Sequence, residues 1–390
     1  MKIGHFVSLF PSNREKIEVY GVGKATYYLC SQLAQKGHDV HIFAPFKKNL
    51  IEKSGNLTVH FHKSFLDLGR NYAYKYISYK MLFDPIKIDL DIVHVHNDTP
   101  LSVIAGLRYA KKKRKPLVVT WHGDWIENFG GILRRIAVYF ANRFVIDKFL
   151  SYASAIIIPS YYYFQQSKFL KKFENKVIEI PNGINIKDFN VPYSKEEARR
   201  KLGLPYEKNI ILFLSGLFTS KGPHILLKAI PKILENNKNC VFIFAGKGKI
   251  SEYEKLSREL GVKDHVKFIG YVEENLKPLY YKAADIFVFP SIGDFEVFPI
   301  VLLEASASGL PMVVSNLSTL KCIVEDGYNG FFFTKGDEKS LADIVIYLLE
   351  NKDIREKMGK NAKNKVMIYS WERISEETEK IYEKCIKKQL

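Results

Sequence analysis

The chain has 390 residues, 47% of them hydrophobic and 26% charged, with a mean hydropathy of −0.12. Those values exclude collagen, whole-chain disorder and a multi-span membrane protein, and the length suits two domains of roughly 150 to 200 residues. The charge is lopsided: residues 1–190 hold 28 basic and 15 acidic side chains, residues 191–390 hold 31 and 27, and the net is +17. A basic N-terminal half points to an anionic partner such as a phosphate-bearing acceptor, an anionic lipid surface or nucleic acid. No apolar run is long enough to span a bilayer, and the start, Met1-Lys-Ile-Gly-His-Phe-Val7, reads as a buried strand rather than a signal peptide. The cysteines, at 30, 240, 322 and 385, form no CxxC pair, which excludes a disulfide scaffold and a zinc knuckle and fits a reducing cytosol.

In chain order, Lys2–Leu9 predicts a first strand. Tyr20–Lys36 has helical spacing, with Ala25, Tyr28, Leu29 and Leu33 on one face, and Gly37 stops it. Strands follow at Asp39–Ala44, Ile92–His96, Leu117–Trp121, Ala155–Pro159 and Val177–Ile180. A polar stretch after Pro181-Asn182-Gly183 marks a boundary. A second series then runs Ile210–Ser215, Val241–Ala245, Val266–Gly270, Ile286–Pro290 and Met312–Ser315. Continuous Val/Ile runs separated by helices indicate parallel sheets covered on both faces. The fold class is therefore α/β, with two doubly wound, Rossmann-like domains in series. Their natural ligand site is the cleft facing the carboxyl ends of the strands. The domains are expected at 1–185 and 186–370, with a charged amphipathic helix at 371–390.

The segment from Asp294 to Met312 carries the most chemistry. After strand Ile286–Pro290 comes a polar loop, and Pro299 suits the first position of a helix that runs to about Ser308 and ends at Gly309. Free N–H groups near Phe298–Val301 make an anion site at the helix start. Glu296 in the loop and Glu304 two turns along the helix flank it, and both carboxylates can accept hydrogen bonds from sugar and ribose hydroxyls. Spacing alone fits a capping Glu and a helix-surface Glu equally well.

Glu296 and Glu304, with Phe298, Ala305, Gly309 and Pro311, resemble the E-x7-E signature of the retaining family 4 glycosyltransferases. The resemblance covers almost the whole chain. It takes in Tyr20-Gly21-Val22-Gly23, Gly37-His38-Asp39-Val40, Asp91-Ile-Val-His94-Val-His96, Val119-Thr-Trp-His122-Gly123 and Pro181-Asn182-Gly183-Ile184. It continues through Ser215-Gly216, Lys221-Gly222, Ala245-Gly246-Lys-Gly248 and Val266-Lys-Phe-Ile-Gly270. The family has the two-domain GT-B fold, with a final helix crossing back to the N-terminal domain, a part that Trp371–Lys388 would play.

The resemblance implies an enzyme that moves a hexosyl unit from a nucleotide-diphosphate sugar to a hydroxyl acceptor with retention of the anomer. Glu304 would hold the ribose and Glu296 the donor sugar. The Phe298, Pro299 and Ile300 backbone would meet sugar and phosphate, Ile269 and Gly270 would lie beside the base, and Lys221 would neutralise the diphosphate. Gly21 and Gly23 would let the backbone approach a phosphate, Gly216 and Gly246 would belong to the donor-binding loops, and His122 would touch the donor sugar. His122, Lys221 and Glu296 are the catalytic candidates. On the acceptor side stand His96 and Asp124, the latter to orient His122 or touch the acceptor. His94 and His96, alternating on one strand, are expected on opposite faces, with His96 on the cleft side. No cofactor and no essential metal is expected.

The chain departs from the family at Leu217, where an arginine is usual. That motivates a second reading, a catalytically weakened sugar-binding or scaffold subunit. A nucleotide-sugar epimerase of similar fold is the other alternative. For the acceptor, two stretches suggest amphipathic basic helices on an anionic membrane near a lipid-linked glycan or polysaccharide precursor. One is Phe61–Phe83, with Tyr72, Tyr74, Tyr76 and Tyr79 among Lys63, Arg70, Lys75 and Lys80. The other is Phe129–Leu150, with Ile132, Ile136, Tyr139 and Phe140 beside Arg134, Arg135 and Arg143. Lys111–Lys115 reads as a loop joining a helix to a strand, and no nucleic-acid-binding motif accompanies it, so no nucleic-acid partner is expected. The expected location is cytoplasmic and peripheral on the inner face of the cell membrane.

Overall fold

The structure is a computed structural model that describes residues 1–12, 21–67, 76–127, 131–293 and 296–388. Contacts divide the chain into two units, Met1–Gly183 with Trp371–Leu390, and Ile184–Ser370.

The first unit contains strands β1 (Lys2–Phe6), β2 (Asp39–Phe46), β3 (Leu50–Ser54) and β4 (Leu57–Lys63), then the short β5 (Leu66–Asp67) and β6 (Tyr76–Ile77). After them come β7 (Ile92–His96), β8 (Leu117–Thr120), β9 (Ala155–Ile158) and β10 (Val177–Glu179). Its main sheet has the order β10-β9-β8-β7-β1-β2-β4-β3, parallel except for the β3–β4 pair. The strand order reverses at β1–β7, and ligands of open α/β sheets gather at such a point. Helix Trp371–Lys387 packs in this unit, burying Trp371, Ile374, Thr378, Ile381, Tyr382 and Cys385 at the three-and-four spacing of one helix face. Glu379 on that helix holds Lys36 at 3.1 Å and His38 at 2.7 Å.

Among the described residues of 61–83 no basic α-helix forms. Leu57-Thr-Val-His-Phe-His-Lys63 is β4, turned back from β3 at Gly55-Asn56 and paired in parallel with β2. Residues 68–75, with Arg70, Tyr72, Tyr74 and Lys75, lie outside the described residues. A 3-10 helix occupies Tyr79–Leu82. A strand on the flank of β2 satisfies that strand's backbone groups, which a helix there would leave unpaired.

The second unit contains β11 (Asn209–Leu214), β12 (Cys240–Ala245), β13 (Val266–Gly270), β14 (Ile286–Phe289), β15 (Met312–Ser315) and β16 (Gly330–Phe333). They form one all-parallel sheet in the order β13-β12-β11-β14-β15-β16, reversing at β11–β14. Alternation along each strand feeds two cores. Ile210, Leu212 and Leu214 of β11 face one side with Val241 and Ile243 of β12, while Ile211 and Phe213 face the other with Phe242 and Phe244. Both faces are covered, so the strands read as unbroken apolar runs. This is a Rossmann-like arrangement in each unit.

Candidate active site

In the second unit, the loops after β11 and β14 meet at the switch point. Gly222, at φ 73, is the left-handed residue between a 3-10 turn (Thr219–Lys221) and helix Pro223–Asn236. A Cβ there would stand 1.9 Å from the Pro290 carbonyl oxygen, so the chain after Lys221 can lie against the end of β14 only with glycine at this position. This close approach brings Lys221 Nζ to 2.5 Å from Glu296 Oε1, and Ser291 Oγ donates to the same oxygen at 2.7 Å. Glu296 is 6% exposed, and the ammonium also sits 5.8 Å from the Phe289 ring. A buried carboxylate oxygen here accepts from an ammonium and a hydroxyl.

Helix Ile300–Ser308 starts one residue later than expected. Pro299 is its extended N-cap residue, not its first helical residue, because ψ is 113°. Among the described residues the N–H groups of Phe298, Ile300 and Val301 make no hydrogen bond. They form the unsatisfied start of a helix. The Phe298 ring itself is buried against Tyr369, which leaves its backbone as the part available to a ligand. Gly309, at φ 77, closes the helix, its N–H donating to the Ala305 and Ser306 carbonyls. Within this apolar helix Glu304 is buried at 2% exposure. It accepts from Tyr281 Oη at 2.9 Å and lies 4.0 Å from Lys277 Nζ. Burial and the Glu304 charge push the Tyr281 hydroxyl well above its usual range, which keeps it a donor.

The glycine loops at the carboxyl ends of β11, β12 and β13 are tied together by backbone bonds. Gly246 N–H donates to the Gly270 carbonyl at 2.6 Å, and Leu217 N–H to the Lys247 carbonyl at 2.7 Å. A Cβ at Gly246 would stand 1.9 Å from the Ser215 carbonyl oxygen. Gly216 lies beside Phe218, and Ile269 and Gly270 end β13. Leu217 is fully buried in the core, so a side chain here points away from the loops. In this chain, position 217 therefore supplies no cation to the site. Lys247 lies 4.4 Å over the Tyr271 ring and Lys249 pairs with Glu252, so neither is directed at Lys221.

In the first unit, Gly21 (φ 52) caps helix Val22–Gln35 and Gly23 is buried in its first turn; residues 13–20 before them lie outside the described residues. At the β1–β7 switch point stands a row of histidines. His94 and His96 are on the same face, not opposite ones, their rings stacked 4.6 Å apart, because residues two apart on a strand point the same way. His5 is the register partner of His94 across β1 and β7. His96 is buried at 2% exposure behind His122, with Nδ1 3.0 Å from His122 Nε2, so it does not itself reach an acceptor. His94 is bonded on both nitrogens, to Tyr382 Oη at 2.5 Å and Thr120 Oγ1 at 2.6 Å. Asp124 does not orient His122 either. Its carboxylate accepts from Trp121 Nε1, Ser167 Oγ and the Lys168 N–H, and so pins the loop after β8. Asn97 and His96 orient His122 instead, Asn97 Oδ1 accepting the His122 N–H at 2.6 Å. Asp98 is bound by Ser8, Thr99 and Ser102; burial raises it to about 6 against those bonds.

His5, His94 and His96 bring three ring nitrogens within 4.8 Å of one another, a grouping that could hold a metal. Five of the six ring nitrogens are already engaged in hydrogen bonds, which leaves His5 Nε2. Composition and spacing gave no reason to choose His5, Tyr281 or Ser291. The signal that points to His5 is the pairing of β1 with β7, once strand order is known.

Residues 19–188 match the family Glycosyltransferase Family 4 and residues 194–365 match Glycosyl transferases group 1. An uncharacterized glycosyltransferase of Methanocaldococcus jannaschii is 34% identical over 307 residues, covering 75% of each chain. A phosphatidyl-myo-inositol mannosyltransferase of Mycobacterium leprae is 28% identical over 76% of this chain and 74% of its own. The crystal structure of Anabaena HepE with UDP-glucose has a TM-score of 0.74 at 20% identity, covering 98% of this chain and 100% of that one. With two Rossmann-like units, a buried Glu296 and Glu304 eight residues apart and these matches across both halves, the chain belongs to the family 4 glycosyltransferases of GT-B type.

Proposed function

We propose that this glycosyltransferase moves a hexosyl unit from a nucleoside-diphosphate sugar to the hydroxyl of a glycan or lipid-linked acceptor, with retention at the anomeric carbon. The observation that carries the donor half is the juxtaposition of Lys221 with Glu296, beside the unbonded N–H groups of Phe298, Ile300 and Val301 and the buried Glu304 on the helix they open. A diphosphate fits that set. Lys221 and the helix N–H groups meet its charge, Glu296 accepts from sugar hydroxyls, and Glu304 accepts from the ribose. HepE, of the same fold, binds UDP-glucose.

In the transfer, the acceptor oxygen bonds to the anomeric carbon on the face from which the phosphate leaves. The carbon–phosphate-oxygen bond breaks, and the departing phosphate oxygen takes the acceptor proton. The products are the glycoside and the nucleoside diphosphate. Lys221 supplies a fixed cation where that leaving charge develops. Both glutamates serve binding, so neither is the nucleophile. Leu217 is core, so this reading assigns the side-chain cation at the diphosphate to Lys221.

Helix Ile132–Phe144 supports an acceptor presented at a membrane. Ile132, Ile136, Tyr139, Phe140 and Phe144 are exposed along it, with exposed Arg135 and Arg143 beside them, in the half of the chain that carries most of the net positive charge. Exposed apolar side chains rimmed by cations suit an anionic lipid surface. Among the described residues no helix is long and apolar enough to cross a membrane. We place the enzyme peripherally on the inner face of a cell membrane; the mannosyltransferase relative is named for a phosphatidylinositol acceptor.

The test is a thermal-shift screen of nucleotide-sugars against the native chain and Glu304→Ala, followed by transfer assays with the donor that binds. A donor at 100 times its dissociation constant adds about 2.7 kcal/mol to the native protein, and the variant should lose that gain. NMR of the product then reads the anomer. Inversion, or stabilisation that survives in Glu304→Ala, would overturn the assignment.

A further inference from the structure

His122, a catalytic candidate to which the proposed transfer gives no role, has two imidazoles lined up behind it. His122 Nε2 lies 3.0 Å from His96 Nδ1, and His96 Nε2 lies 3.2 Å from His5 Nδ1. His5 and His96 are buried. Burial holds His5 and His122 down to about 3 and His96 well below its usual range, so all three rings are neutral at pH 7.

A neutral imidazole donates from one nitrogen and accepts at the other. Two successive ring-to-ring bonds therefore force one sense on the whole row. Either every ring carries its proton on Nδ1, or every ring carries it on Nε2. The far end decides between them. His5 Nε2 is buried with no hydrogen-bond partner among the described residues. The Nε2–H set would strand a buried N–H there, whereas the Nδ1–H set strands only a lone pair, and orphaned buried donors are the rarer case. At the near end, His122 Nδ1 makes no hydrogen bond among the described residues, and His122 is partly exposed after the end of β8.

We infer that His5 and His96 are positioning residues that lock His122 in the Nδ1–H form, so that it presents a fixed, uncharged N–H to an oxygen of the bound substrate. A hydroxyl or phosphate oxygen accepts from such a group, and an ammonium or a second N–H does not. His94 buttresses the row from the side: it stacks on His96 and is itself held by Thr120 and by Tyr382 of helix Trp371–Lys387. That the substrate is a sugar donor rests on the proposed function; the tautomer does not.

Long-range 15N–1H NMR of the full chain with labelled histidine tests the row directly, with His122→Gln and His5→Phe used to assign signals. His5, His96 and His122 should each show a protonated Nδ1 and a bare Nε2, unchanged from pH 7.5 to 5. A His122 signal with the proton on Nε2, or one averaged between forms, overturns the inference whatever the enzyme's substrate proves to be. Two variants separate positioning from packing. His96→Phe removes the donor to His122 and should release its tautomer, lowering kcat about tenfold, the worth of one hydrogen bond. His96→Asn keeps an N–H aimed at His122 and should restore both tautomer and rate. If both variants fold by circular dichroism and the two rates are equal, His96 serves packing alone. If the native chain transfers no sugar with any donor, the functional reading fails, and the NMR still decides the row.

Discussion

Lys221 and Glu296 are 75 residues apart in sequence and 2.5 Å apart at their charged atoms. They meet because β11 and β14 are neighbours in the sheet although two strands intervene in the chain, and each residue lies in the loop that follows its strand. The pair holds a cation at a fixed place beside open helix N–H groups.

Replacing Lys221 by Met should therefore lower kcat by about 10²–10³-fold, the range seen when one fixed electrostatic contact to a developing charge is removed. The fold should survive, since the Lys221 side chain is 27% exposed. Steady-state kinetics beside a urea melt would check this. A rate unchanged from native would remove Lys221 from the chemistry.

Gly222→Ala tests the same site through the backbone. The left-handed conformation costs about 1–2 kcal/mol with a Cβ, and that Cβ would meet the Pro290 carbonyl at 1.9 Å. Pro290 precedes Ser291, so the loop carrying Glu296 must shift. The expected result is a stability loss above about 1 kcal/mol together with weaker donor binding. Gly203→Ala is the control, because it shares a positive φ of 62° but has nothing within 4 Å of its Cβ.

Acid should unfold the first unit. Burial lowers His5 and His122 to about 3 and His60 to about 4, and lowers His41 and His62 as well. Below the unfolded value near 6.5, the unfolded chain binds protons that the folded chain refuses. Stability is thus fully present above pH 6.5 and falls as pH drops toward 3. Each fully buried histidine contributes a slope of about 1.4 kcal/mol per pH unit. Asp98, raised to about 6, has the opposite sign between its unfolded value near 3.8 and pH 6 and offsets about one histidine there. Urea midpoints at pH 7.5, 6, 5 and 4 should decline; a flat series would contradict the buried, neutral histidines.

Membrane docking predicts a salt-sensitive, apolar contact. Phe140→Asp with Phe144→Asp should reduce co-sedimentation with anionic vesicles at least tenfold, because each ring contributes up to about 1.5–3 kcal/mol when buried. Neutral vesicles should bind the native chain less well than anionic ones. Equal binding by native and variant chains would place the acceptor elsewhere.

Much of this molecule could be read along the chain. Strands Ile92–His96, Val266–Gly270 and Met312–Ser315 have the bounds their apolar runs suggest, and the helix from Ile300 ends at Gly309. Local periodicity, glycine at left-handed positions and the spacing of Glu296 and Glu304 are properties of neighbouring residues, and these determined the two α/β units and the candidate carboxylates. The rest depends on which strands become neighbours. The β3–β4 hairpin replaced an expected helix because β2 needed a partner. Leu217 proved to be core because strand alternation and the Gly248 bridge turn it inward. Asp124 went to Trp121, Ser167 and Lys168, and His122 gained His96, which in turn meets His5. Hydrogen bonds across parallel strands join residues tens of positions apart, so sequence supplied the chemical groups, and only the tertiary structure decided which nitrogen faces which oxygen.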